Sequence, residues 1–135
     1  MKYNYNDGGR ADAGFRGQTD CGIRAVAIAL GMGYKEARAV LKESASKGKQ
    51  GNKAIANGIW KEDLSSALAK FGWYWESAPK FSGRKARCSD LKDEGTIIAR
   101  QARHYVAVID GVPEDTWDSS DKMVYGYWKK INLTK

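Results

Sequence analysis

What is scarce in this sequence excludes several classes of protein at once. It has one histidine, His104, and two cysteines, Cys21 and Cys88, with no CxxC or HxxxH pair, so a zinc site finds no ligand set. Two thiols are too few for a disulfide framework, and both are expected to be reduced. No apolar run approaches the ~18 residues of a spanning helix. Met1 to Gly17 is polar and glycine-rich, where a secretory signal would carry an apolar stretch. These scarcities lead to the expectation of a soluble, cytoplasmic protein with no membrane contact and no metal or organic cofactor. No internal repeat is visible.

The chain of 135 residues, 42% hydrophobic and 11% aromatic, has the material for a single domain over 1–135 with its own core. Lysine and arginine number 23 against 16 acidic residues, a formal charge of +7 that would steer the molecule towards nucleic acid or an acidic protein. The basic residues form no telling motif. Lys47, Lys49 and Lys53 fall in a polar stretch, and Arg84, Lys85 and Arg87 make the densest group. A solvated surface accounts for both as well as phosphate binding does.

Residues 1–19 lack apolar periodicity and read as an arm over the domain, with Tyr3, Tyr5 and Phe15 as anchors. From Asp20 the pattern changes: Ile23, Val26, Ala27 and Leu30 recur on one helical face, and the intervening alanines widen it into a buried helix. Gly31 and Gly33 end that helix, and Tyr34 to Ser44 makes a second, with Tyr34, Ala37, Val40 and Leu41 inward. Residues 44–58 have almost no large apolar side chain and suggest a mobile loop. Trp60, Leu64, Ala67, Leu68 and Phe71 stripe a third helix, closed by Gly72. Trp73 to Trp75 suits a strand, and Pro79 to Cys88 looks irregular and basic. Thr96 to Ala99, His104 to Ile109 and Val124 to Ile131 complete a sheet, with Asp110-Gly111 as a hairpin turn. Helices followed by an antiparallel sheet give an α+β domain whose leading helix packs across the sheet. Most of the five tryptophans are expected in its core.

The chemistry concentrates on few residues. A cysteine reacts as thiolate, and a helix start favours that form because unpaired amide N–H groups and the helix dipole attract negative charge. Cys21 occupies such a start, and Gly22 would allow a substrate backbone to approach. A small buried cysteine is the bland alternative. His104 opens a strand, where backbone pairing would hold a base firmly, although a histidine there is often purely structural. A thiol hydrolase needs that base and an acidic orienter to fix the imidazole. Folding back at Asp110-Gly111 brings Thr116 to Asp118 opposite His104, within a residue or two, so Asp115 and Asp118 both qualify, and either is also a plausible turn residue.

The order of these residues resembles the papain-like cysteine peptidases, which run Cys at a helix start, then His, then Asn or Asp across a hairpin. Asp20-Cys-Gly with Ile23 to Leu30 is similar to the nucleophile helix of the leader peptidases of bacteriocin exporters. Gly58-Ile59 with Leu64, Leu68 and Gly72 resembles that branch's second helix, and Thr96-Ile-Ile-Ala99 with His104-Tyr-Val-Ala-Val108 its histidine strand pair. Asp115-Thr-Trp117 resembles the Asn-Ser-Trp of papain, which favours Asp115 over Asp118. Short proteins of tailed phages and prophages share the Asp-Cys-x-x-Arg-Ala helix and an ending like Asp115 to Asp118 before Gly126-Tyr-Trp128; their likeness implies a fold and no activity.

The resemblance implies a papain-like fold and a thiol hydrolase or acyl transferase of peptidase, isopeptidase or deamidase type, acting on a protein or peptide, including a host protein. It also implies an oxyanion-hole glutamine ahead of the nucleophile; Gln18 is the glutamine there, closer to Cys21 than the family's spacing. The alternative is an inactive papain-like scaffold that binds a host protein or nucleic acid.

Overall fold

The computed structural model describes residues 2–16, 20–48, 58–81 and 83–131. The architecture is α+β, with helices first and most of the sheet after them. Helix α1 spans Cys21–Leu30 and ends at Gly31, whose φ of 69° lets its N–H close back onto the Ala27 carbonyl. Helix α2 runs Tyr34–Lys47, one turn beyond the expected end at Ser44. Ser44 and Ala45 are buried, and the Ser44 hydroxyl donates to the Asp63 carbonyl at 2.6 Å, so tertiary contacts extend the helix into what composition presents as loop. The remainder of that expected loop, 49–57, lies outside the described residues.

Helix α3 spans Lys61–Ala69. Leu64, Ala67 and Leu68 are buried as the stripe requires, but Trp60 and Phe71 lie just past the helix ends and are exposed. Fully burying side chains such as Leu41, Leu64 and Leu68 contributes ~1.5–3 kcal/mol each, and they tie α2 and α3 into one core.

The strands are β1 Asn4–Tyr5, β2 Trp73–Ser77, β3 Lys80–Phe81, β4 Arg84–Lys85, β5 Thr96–Gln101, β6 His104–Ile109, β7 Val112–Asp115 and β8 Gly126–Lys130. Six of them form one sheet in the order β1-β7-β6-β5-β8-β2, and β3 and β4 form a small hairpin in the stretch expected to be irregular. The sheet is mixed rather than wholly antiparallel. The N-terminal arm adds β1 parallel to β7, a pairing that two residues without apolar alternation could not announce. Phe15 anchors the arm against the Tyr34 ring at 5.2 Å, whereas Tyr5 is exposed.

Strand alternation splits the core between two faces. Ile98 and Trp128 pack under the helices, while Ile97, Ala99, Val106 and Val108 pack with Cys88, Leu91 and Tyr127 beneath a 3-10 segment, Cys88–Glu94. Trp73 and Trp128 are core; Trp60 and Trp117 are not, a difference that matters at the site below. No helix among the described residues is long and apolar enough to cross a membrane.

Candidate active site

Three chain segments converge beside β6. The hairpin turn takes positive φ at both Asp110 (52°) and Gly111 (84°), the primed turn that suits twisted strands, and pairs Ile109 with Val112 and Ala107 with Glu114. Continuing that register by one pair sets Asp115 opposite Val106, on the face that period-two alternation also assigns to His104. The consequence is a bond of 2.6 Å between His104 Nε2 and Asp115 Oδ2, both side chains being almost fully buried. With Asp115 ionised, Nε2–H is the donor, which leaves Nδ1 as the ring nitrogen free to meet the thiol.

Cys21 supplies that thiol from the first position of α1. Its sulfur faces the His104 ring and the backbone N–H of Tyr105, both of which act to lower the thiol. Burial pushes the thiol up, but the His104 bond and charge, the Tyr105 amide and the Arg24 charge outweigh it, and the net shift is below the ordinary 9.0. Burial likewise opposes the charged form of His104, while Asp115 and the Cys21 thiolate raise it above 6.5. For Asp115 burial acts upwards, and His104, the Thr116 amide and Arg24 hold it below 3.8. All three shifts run in the direction that favours a thiolate–imidazolium–carboxylate chain over the neutral one.

Sequence reasoning alone did not assign a role to Arg24. This nearly fully buried arginine donates through Nε to Asp20 Oδ1 at 3.0 Å and through Nη1 to Asp115 Oδ1 at 2.7 Å and to Thr116 Oγ1 at 3.1 Å. Asp20 also accepts from Arg10 at 3.2 Å and from the Tyr34 hydroxyl at 2.6 Å. The signal was present: a charged side chain in an alanine-lined helix that is otherwise apolar, four residues after an aspartate, has to find buried partners. Because Asp20 is engaged by these groups, it makes no side-chain cap on α1, and no acidic residue sits in the first turn. The positive end of the helix is thereby left to the Cys21 sulfur.

Trp117 covers the outer side of His104, ring centroids 4.8 Å apart, and Lys122 stands over the indole at 5.5 Å. At 41% exposure Trp117 shields the imidazole while remaining part of the surface. Asp118, the other acidic candidate, is exposed and accepts from the Ser120 amide at 2.9 Å, as a turn residue does, whereas the bond to His104 is made by Asp115. Gln18 lies outside the described residues. Gly22 also departs from expectation. It is buried, and a Cβ there would stand 2.8 Å from Ile59 Cγ2, so its lack of a side chain admits the neighbouring loop rather than a substrate.

A cleft of about 560 Å³ opens over the sulfur, lined by Ile59, Trp60, Arg100, Arg103, Tyr105 and Trp117 together with the Cys21–His104 pair. The Tyr105 hydroxyl donates to the Ile59 carbonyl at 2.9 Å, which fixes one wall; burial, foremost, pushes that phenol up to about 12. Both cysteines are free thiols. In comparison with known proteins, the chain matches no family model, no curated protein and no solved structure.

Proposed function

We propose that this protein is a papain-like thiol hydrolase or acyl transferase, of cysteine peptidase, isopeptidase or deamidase type, with Cys21 as nucleophile, His104 as proton carrier and Asp115 as orienter. The observation that carries the reading is the continuous chain from the Cys21 sulfur through the His104 ring to Asp115 Oδ2, seated at an uncapped helix start and open to a cleft. A merely structural cysteine has no use for a buried imidazole–carboxylate pair directed at its sulfur.

The chemistry follows from the protonation states. The Cys21 thiolate attacks the carbonyl carbon of an amide, the new S–C bond displaces the carbonyl electron pair onto oxygen, and a tetrahedral oxyanion forms. As the pair returns, the C–N bond breaks and His104 passes its Nδ1 proton to the leaving amine, or to ammonia where the substrate is a primary amide. The thioester is released by water, or by an acceptor amine in transfer, whose proton returns to His104. The backbone N–H of Cys21 at the open end of α1 is a donor suited to the oxyanion. Asp115 holds Nε2 throughout, so Nδ1 stays aimed at sulfur.

Thiol reactivity tests the reading before any substrate is known. Iodoacetamide is expected to alkylate Cys21 faster than a small-molecule thiol near pH 6, and His104→Ala to remove that advantage. Equal rates for the two proteins would rule out the hydrolase and favour a binding scaffold.

A further inference from the structure

The cleft beside Cys21 has an unbalanced charge. Among the described residues its lining contains arginines and no aspartate or glutamate. Arg24 is engaged with Asp20 and Asp115, but Arg100 and Arg103 enter no ion pair among the described residues. Arg100 acts on the Tyr105 phenol, opposing the rise that burial causes there. The acidic groups nearest the cleft do not neutralise it: Asp115 lies behind His104, and Glu62 acts on Tyr105 from α3 without lining the opening.

Arg103 is held there against its backbone preference. Gln101 pairs with His104, so Ala102 and Arg103 form a two-residue turn between β5 and β6, and Arg103 sits at a φ of 54°. Glycine or asparagine takes that conformation at lower cost, and a long charged side chain in it, next to the proton carrier, points to a use for its head group. Trp60, Tyr105 and Trp117 line the same cleft, and apolar ring surface beside the guanidinium groups lowers the local dielectric that an entering anion would meet.

We propose that Arg100 and Arg103 form an anion subsite, and that the acyl substrate carries a carboxylate within reach of the carbonyl that Cys21 attacks. The inference rests on the thiol hydrolase reading and extends it to a substrate class. Guanidinium groups meet carboxylates with two parallel N–H donors, which orients the substrate as well as attracting it. The carboxylate is either an Asp or Glu side chain flanking the scissile bond or the free C-terminus of the substrate, and both present the same chemistry to the subsite.

Charged and neutral alkylating reagents separate this inference from the one beneath it. Iodoacetate and iodoacetamide both form an S–C bond at Cys21 and release iodide, and they differ in one negative charge. For the intact chain the iodoacetate-to-iodoacetamide rate ratio at Cys21, followed by mass spectrometry, is expected to exceed that of a small-molecule thiol by on the order of tenfold, the low end of what charge focused in a cleft achieves. Arg100→Gln with Arg103→Gln should return most of that excess, slowing iodoacetate more than iodoacetamide, and added salt should erode it. Arg103→Gly, which suits the backbone at that turn, provides a second variant whose folding is not at issue.

An unchanged ratio in these variants overturns the anion subsite even if Cys21 reacts fast with iodoacetamide. Slow reaction with iodoacetamide near pH 6 overturns the hydrolase reading, while the ratio still reports on the arginines. Protection of Cys21 from iodoacetamide then distinguishes the carboxylate sources. Stronger protection by N-acetyl-Gly-Glu-amide assigns the side chain, and stronger protection by N-acetyl-Gly-Gly with a free carboxylate assigns the C-terminus. Protection no better than that of neutral N-acetyl-Gly-Gly-amide counts against the proposal.

Discussion

The two cysteines of this chain are the same chemical group in opposite circumstances. Cys88 opens the 3-10 segment, has no exposed surface, and accepts from Gln101 Nε2 at 3.7 Å. Burial pushes its thiol up to about 12, and the charges of Asp115 and Asp118 add to the rise. Cys21 is heavily shielded too, and burial is the largest influence on it as well, yet its thiol is lowered, because an imidazolium, a backbone amide and an arginine all face the sulfur. Burial therefore does not decide the direction in which a thiol is shifted in this protein; the sign of the surrounding charge does. Asp115 and Asp118 repeat the lesson for carboxylates: three residues apart, one is held by His104 and Arg24 and the other by a turn amide in solvent.

The largest expected effect compares the thiols directly. In the native protein at pH 7, Cys21 should be alkylated on the order of 10³-fold faster than Cys88 or more, since the thiolate fraction changes tenfold per pKa unit. Peptide mapping of labelled protein measures both sites in one sample, and comparable labelling would dissolve the contrast.

Arg24→Leu should come next. It leaves Asp20 and Asp115 as buried carboxylates without their shared cation, at a cost of ~3–5 kcal/mol of stability by urea unfolding. A loss near zero would mean that the arginine is not the brace described here.

His104→Ala should slow Cys21 alkylation near pH 6 by on the order of 10²-fold and move the inflection of the rate–pH profile up towards 9.0, because the chief cause of the depression is gone. Retention of the wild-type inflection would break the pairing of sulfur and ring.

The aspartates sharpen the comparison on a smaller scale. Asp115→Asn removes the charge that raises His104 and should reduce Cys21 alkylation near pH 6, by a smaller factor than His104→Ala does. Asp118→Asn should leave reactivity alone and stay within roughly 0.5 kcal/mol in stability.

The smallest effect is an acid limb in stability. Asp115 is depressed in the folded state, so its contribution is complete above the unfolded value of 3.8 and is lost as pH falls through the lower folded value. His104 is raised, so its contribution is complete below 6.5 and is lost as pH rises through the folded value. Unfolding free energies measured from acid to neutral pH should therefore fall on the acid side, and less steeply in Asp115→Asn than in wild type.

Much of this was legible before any fold was known, and the reasons are local. The helix from Cys21 to Leu30 is written in apolar spacing, and the Asp110-Gly111 turn in two residues that accept positive φ. Those two features alone bring Asp115 within a residue or two of His104, because a hairpin's register follows from its turn. The turn itself did not choose between Asp115 and Asp118, since both are acidic and either suits a turn; only the likeness of Asp115-Thr-Trp117 to Asn-Ser-Trp favoured Asp115. Nor was the extension of α2 past Ser44, where a polar composition is overruled by the contact of Ser44 with Asp63.

The sequence by itself determined the order of the helices and the long strands, the Asp110-Gly111 turn and the identity of the thiol at a helix start, all of which depend on neighbours along the chain. Only the tertiary structure decided that Arg24 joins Asp20 to Asp115, that β1 returns to pair beside β7, and that two arginines share a cleft with the Cys21 sulfur. Those facts depend on groups distant in sequence and close in space, where Coulomb energy and desolvation follow distances through the fold and not positions along the chain.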